Sequence, residues 1–134
     1  AGVRLRLACN EIMKNLNYNL ETGKAIITNG YNLPSKYVIQ TVGPIIANKV
    51  IENKKEELAN CYKNSLKLAI DNGIRTIAFP CISTGVFRFP KELASIIALK
   101  TVDELITSYK DKINKVVFNL WSDEDVKIYE KNIK

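Results

Sequence analysis

Short runs of β-branched and aromatic residues alternate along this chain with longer stretches whose apolar positions recur every three or four residues, and that alternation restricts the fold more than any other feature. Strands separated by helices of about 15 residues or more cannot pair through tight hairpins. Their connections cross over the sheet, so the strands run largely parallel. The first helical stretch places Leu5, Ala8, Cys9, Ile12 and Leu16 on one side over about residues 2 to 16. A second opens with the capping pair Asn53 and Glu56, carries Leu58, Cys61, Tyr62, Ser65, Leu66 and Ala69 on one face, and stops at Gly73. A third begins in its first turn with Pro90 and turns Ala94, Ile97, Ala98, Thr101 and Leu105 inward. The last opens with Ser122 and Asp125 and runs to about Asn132.

The strand-like runs are Lys24 to Thr28, Lys36 to Val42, Arg75 to Phe79 as a short buried strand, and Lys115 to Trp121. The expected fold is therefore α/β, a three-layer α/β/α sandwich around a mixed, largely parallel sheet. In such a fold ligands bind where loops leave the C-terminal ends of the strands. At 134 residues the chain is one domain, spanning 1–134, with no internal repeat, linker or low-complexity segment.

Composition narrows the functional classes. No apolar run approaches the ~20 residues that a membrane-spanning helix needs. No basic region followed by a hydrophobic core marks the start for export, so the expected location is cytoplasmic, with no membrane partner. Cys9, Cys61 and Cys81 are odd in number and form no C-x-x-C pair, which suits reduced thiols acting as small buried hydrophobes. The net charge of +6 is spread along the chain, and its aromatics are not interleaved with the basic residues, so a nucleic-acid partner is not expected. Because there is no histidine, triads, general bases and metal sites that depend on imidazole are excluded for these residues. Catalysis here would have to use carboxylates, amides, hydroxyls, backbone groups or a bound water.

The segment Ala78-Phe79-Pro80-Cys81-Ile82-Ser83-Thr84-Gly85-Val86-Phe87-Arg88-Phe89-Pro90 joins a strand to a helix. Unpaired backbone N–H groups at such a junction attract anions, and small residues let a phosphate approach them. Ser83, Thr84 and Gly85 fit that role. A plain strand-to-helix connection fits the pattern as well, with Phe87 and Phe89 as lid or core aromatics. The loop after the last strand, carrying Asn119 and Trp121, is expected to face the same crevice.

Three blocks resemble successive signatures of the macrodomain family. They are Leu5 to Met13 (LRLACNEIM), Thr22 to Thr28 with Tyr31 to Pro44 (TGKAIIT and YNLPSKYVIQTVGP), and the loop just quoted. Macrodomains bind ADP-ribose, and many hydrolyse ADP-ribosyl groups from proteins. The resemblance implies that Ser83, Thr84, Gly85, Val86 and Phe87 wrap the diphosphate and distal ribose. It places Asn119 and Trp121 toward the adenine, with edge-of-core packing the alternative for Trp121. It also implies a partner, either ADP-ribose or an ADP-ribosylated protein. The function expected is that of a protein ADP-ribosyl hydrolase, with a non-catalytic ADP-ribose-binding module as the alternative.

Details such as Cys-Ile-Ser-Thr-Gly are similar to the zinc-containing microbial branch, and Gln40 departs from the family, which often has histidine at that position of its strand block. The family's first strands, its asparagine-bearing segment and its catalytic or zinc-binding loop have no counterpart after Ala1. The chain is accordingly expected to be about the C-terminal two thirds of the family domain. Zinc and the catalytic residues would belong to a longer parent, and no cofactor or metal ligand is identifiable in these residues. Without those strands an open sheet edge is expected.

Overall fold

The computed structural model describes residues 7–8, 11–12, 20–30, 35–47, 52–85 and 87–133. Leu7, Ala8, Glu11 and Ile12 are helical, and the rest of the helix expected over residues 2 to 16 lies outside the described residues. The remaining elements run in the order β1 (Ala25–Asn29), β2 (Tyr37–Thr41), α1 (Glu52–Asp71), β3 (Thr76–Phe79), α2 (Lys91–Ser108), β4 (Lys115–Phe118) and α3 (Asp123–Asn132). Each expected element after the first helix is present, with ends shifted by a few residues. Glu52 starts α1, so Asn53 falls inside its first turn, and Pro90 stands at the N-cap of α2 instead of within the helix. The final strand ends at Phe118, which leaves Asn119 to Trp121 in the following loop.

The strands form two ribbons. β1 and β2 pair antiparallel, with Ile27 opposite Ile39, while β3 and β4 pair parallel, with Ala78 opposite Val117. Helix α1 holds both against one core. Its buried face is Leu58, Cys61, Tyr62, Ser65, Leu66 and Ala69, the set that the three- and four-residue spacing marks in the sequence. The Asn64 side chain donates to the Gly23 carbonyl at 2.6 Å and the Cys61 thiol to the Val42 carbonyl at 3.3 Å, which seats the hairpin on the helix. Gly23 takes φ 86°, a left-handed turn that a Cβ would strain while pressing on Asn60 at 3.2 Å. On the other side Ala94, Ala98 and Val102 of α2 join Phe79, Phe89, Ile113 and Tyr129 in the same core.

β3 is less enclosed than its composition suggests. Phe79 is buried, but Thr76 and Ala78 face outward together with Lys115 and Val117 of β4. The inward face of the ribbon, Ile77, Phe79, Val116 and Phe118, packs on the helices. A parallel sheet ordinarily has both faces covered, and among the described residues only one face is. Between β2 and β3 lies a cleft of about 820 Å³, walled by Tyr37–Thr41 on one side and Thr76–Phe79 on the other, with Ser65 on its floor. Among the described residues β2 is laddered to β1 and β3 to β4, and the cleft lies between these two ribbons.

Candidate functional site

The loop from Pro80 to Pro90 leaves the C-terminal end of β3 and is closed on itself by main-chain hydrogen bonds. The Phe89 amide donates to the Ser83 carbonyl at 2.8 Å, and the Arg88 amide to the Gly85 carbonyl at 3.0 Å. Ser83 (φ 65°) and Arg88 (φ 63°) both adopt the left-handed backbone region, which costs an L-residue about 1–2 kcal/mol. Strain of that kind persists only where neighbours impose it, and it clusters at ligand sites. An isolated left-handed residue in a turn reverses the peptide direction and brings successive N–H groups to one side, the geometry of an anion-binding concavity. Gly85 is exposed, and a Cβ built on it would meet nothing within 4 Å, so its surface is open to a ligand. Thr84 caps the turn, its hydroxyl donating to the Cys81 carbonyl at 3.4 Å.

A second wall comes from the segment after β2, which the sequence reading did not single out as part of the site. The Ile46 amide donates to the Phe87 carbonyl at 2.9 Å. Gly43 lies beneath the loop so closely that a Cβ there would collide with the Ser83 Oγ and sit 2.8 Å from the Ile82 Cγ2. Ile45 beside it is exposed. Gly-Pro after a strand is the local signal for this wall, but only the packing shows what it faces.

At the end of β4 the Asn119 amide donates to the Phe79 carbonyl at 2.8 Å, so Asn119 stands next to the root of the loop and is exposed. Trp121 is 87% exposed. Ser122 caps α3 by accepting from the Asp125 amide at 3.1 Å. Lys91, at the start of α2, reaches Asp125 and Glu124 at 3.5 Å each, joining the two helix starts behind the two loops. Those carboxylates, Asp125 foremost, hold the Lys91 ammonium above its usual range.

Thus Ser83, Thr84, Gly85, Phe87 and Asn119 belong to one rim at the C-terminal ends of β3 and β4, with Trp121 exposed further along the β4 loop. Val86 lies outside the described residues. The large cleft between β2 and β3 touches this rim only at Pro80 and Ile82. Burial pushes the Cys81 thiol upward, so it is a poor nucleophile beside the loop. Zinc does not fit these residues. Among the described residues no group of three or more His, Cys, Asp or Glu side chains is placed to hold a metal ion, and the chain has no histidine. Also among the described residues, no helix is long and apolar enough to cross a membrane.

Comparison with known proteins gives a consistent picture. The family model for the Macro domain matches residues 1–98. The chain is 52% identical over 133 residues to the ADP-ribose glycohydrolase MACROD2 of Xenopus laevis, covering 99% of this chain and 31% of that protein. It is 47% identical over 134 residues to a protein-ADP-ribose hydrolase of Treponema medium, covering 98% of this chain and 50% of the relative. The Oceanobacillus iheyensis macrodomain solved with ADP superposes with a TM-score of 0.90 at 41% identity, over 98% of this chain and 69% of that one. The chain therefore spans about a third to a half of the length of the two hydrolase relatives and about two thirds of the solved macrodomain chain.

Proposed function

Because the chain belongs to the macro domain family, we propose that it supplies the diphosphate-binding part of an ADP-ribose site in a protein that releases ADP-ribose from modified proteins. One observation carries this reading: the self-closed loop with left-handed Ser83 and open Gly85 at the C-terminal end of a parallel strand pair. In this arrangement the amides of Ser83 to Phe87 meet the phosphate oxygens, which need donors but no side chain. Phe87 lies against the distal ribose, and Asn119 and Trp121 take the adenine side. Relatives named ADP-ribose glycohydrolase and protein-ADP-ribose hydrolase support the release activity. The free thiols of Cys61 and Cys81 fit a reducing, cytoplasmic setting.

On the same reading residues 1–134 form about two thirds of the family domain, in line with the 69% of the solved chain that they span. The facing edges of β2 and β3 are where a further strand completes the sheet. Such a strand would reach the loop through Pro80 and Ile82 and bring groups that these residues lack. A second reading, ADP-ribose binding without turnover, draws on the rim itself: Ser83, Thr84, Gly85, Phe87, Asn119 and Trp121 include no carboxylate or imidazole to act as a general base.

Calorimetric titration with ADP-ribose and a release assay on an ADP-ribosylated protein, both on the natural full-length protein, separate these outcomes. Binding with release supports the hydrolase. Binding without release selects the module. No binding of ADP-ribose overturns both.

A further inference from the structure

Successive residues at the start of α2 hold both ends of α3. Lys91 reaches the first turn of α3, its ammonium 3.5 Å from the carboxylates of both Asp125 and Glu124. Glu92, the next residue, takes the other end. Its carboxylate pairs with Lys131 at 3.2 Å and accepts from the Asn132 side chain at 3.3 Å. The same Asn132 nitrogen donates to the Ser95 hydroxyl at 2.9 Å, and Ser95, one turn further along α2, is fully buried. Packing does not require these contacts, since Tyr129 of α3 already shares the core with Ala94 and Ala98 of α2. Exposed ion pairs add little to stability, and a cation in the first turn of α2 opposes that helix's own dipole. Lys91 is therefore not explained by the stability of α2.

What the arrangement fixes is position. Helix α2 begins where the loop carrying Ser83 ends, at Pro90, and α3 begins where the loop carrying Asn119 and Trp121 ends, at Ser122. The two loops share a root, the Asn119 amide on the Phe79 carbonyl, and then run into separate helices. A single ion pair between the helix starts would set one distance. Contacts at both ends of α3 set its angle on α2 as well, and with it the spacing of the two loops. We infer that Lys91 and Glu92 are positioning residues, whose clamp on α3 holds the diphosphate loop and the loop of Asn119 and Trp121 at the separation of one ligand that spans both. This rests on the ADP-ribose reading for its ligand, but the clamp itself is measurable without one.

The test uses Lys91→Met, Glu92→Ala, Asp125→Ala and the double variant of Lys91→Met with Glu92→Ala, all in the natural full-length protein. Titrations compare ADP-ribose, which spans both loops, with ribose 5-phosphate and adenosine, each of which meets one. ADP-ribose should bind about two- to fivefold more weakly in each single variant and more weakly still in the double, while the two short ligands change by less than about 1.5-fold. The sign separates positioning from plain charge. Removing the carboxylate at 92 or 125 makes the protein more positive, so its field alone would tighten the binding of a diphosphate, whereas loss of the clamp weakens it. Tighter or unchanged ADP-ribose binding in Glu92→Ala and Asp125→Ala overturns the inference, as does an equal loss of ribose 5-phosphate binding in Lys91→Met. Amide hydrogen exchange without ligand tests the clamp apart from the ADP-ribose reading. In the double variant exchange at Ser83 to Gly85 and at Asn119 to Trp121 should quicken about two- to fivefold, with the amides of α1 unchanged. Unchanged exchange at both loops overturns the clamp. Faster exchange in a protein whose wild type ignores ADP-ribose upholds the clamp and removes the ligand reading instead.

Discussion

Replacing Gly43 by alanine tests the most specific contact in the site, the approach of the strand-end segment to the loop. The new Cβ would overlap the Ser83 Oγ, lie 2.8 Å from the Ile82 Cγ2 and come within 3.3 Å of the Ser83 Cβ. These atoms belong to short side chains on a loop already held at Ile46, Phe87 and Phe89 by hydrogen bonds, so they have little room to retreat. Overpacking of this kind costs about 1–3 kcal/mol. For a domain of 134 residues one kcal/mol lowers the melting temperature by roughly 3–4 °C, so the expected fall is roughly 3–12 °C. Ser83→Gly should act in the opposite sense, since it removes the colliding hydroxyl and relieves the strain at φ 65°, gaining up to about 1 kcal/mol. The double variant is the decisive measurement. If the collision is real, Ser83→Gly recovers more than half of the alanine penalty, giving a coupling energy of at least about 0.5–1.5 kcal/mol. Thermal unfolding of the four proteins measures that coupling, and ADP-ribose titration should track it. Strict additivity, or a neutral Gly43→Ala, would refute the contact and the wall built from it.

Three further outcomes are expected. Trp121→Ala, at a fully solvent-facing ring, should change stability by less than about 0.5 kcal/mol yet weaken ADP-ribose binding by roughly 5- to 100-fold if the ring stacks on adenine, while ribose 5-phosphate binding stays as it was; equal losses for both ligands would contradict that role. Ser122→Ala removes the acceptor for the Asp125 amide and should cost about 1 kcal/mol in denaturant unfolding. Stability should also decline in alkali. Burial pushes the Tyr129 phenol up to about 12 and that of Tyr62 well above its usual range, so the folded state keeps protons that the unfolded chain releases above about pH 10. Their contribution is complete below pH 10 and is lost as the pH rises toward 12, with a slope of at most about 1.4 kcal/mol per pH unit for each fully buried phenol and less where solvent reaches the ring. Denaturation midpoints between pH 9 and 12 should show this decline, and Tyr129→Phe should flatten it.

What the sequence determined by itself is local. The inward face of α1 was legible to the residue, because the three- and four-residue spacing of Leu58, Cys61, Tyr62, Ser65, Leu66 and Ala69 reflects helix geometry alone. The Ser122 cap on α3 was legible for the same reason, being a contact between residues three apart. Ser83 to Gly85 could be read as a loop able to take a phosphate, since strand, small residues and helix follow one another directly. Tertiary structure decided the rest. That Gly43 lies under Ser83, that Tyr62 and Tyr129 both pack on Phe118, and that one face of β3 is open among the described residues are outcomes of how separate elements stack. No periodicity records them, because the chain distance between such partners is arbitrary while their spatial distance is fixed only once the core has formed.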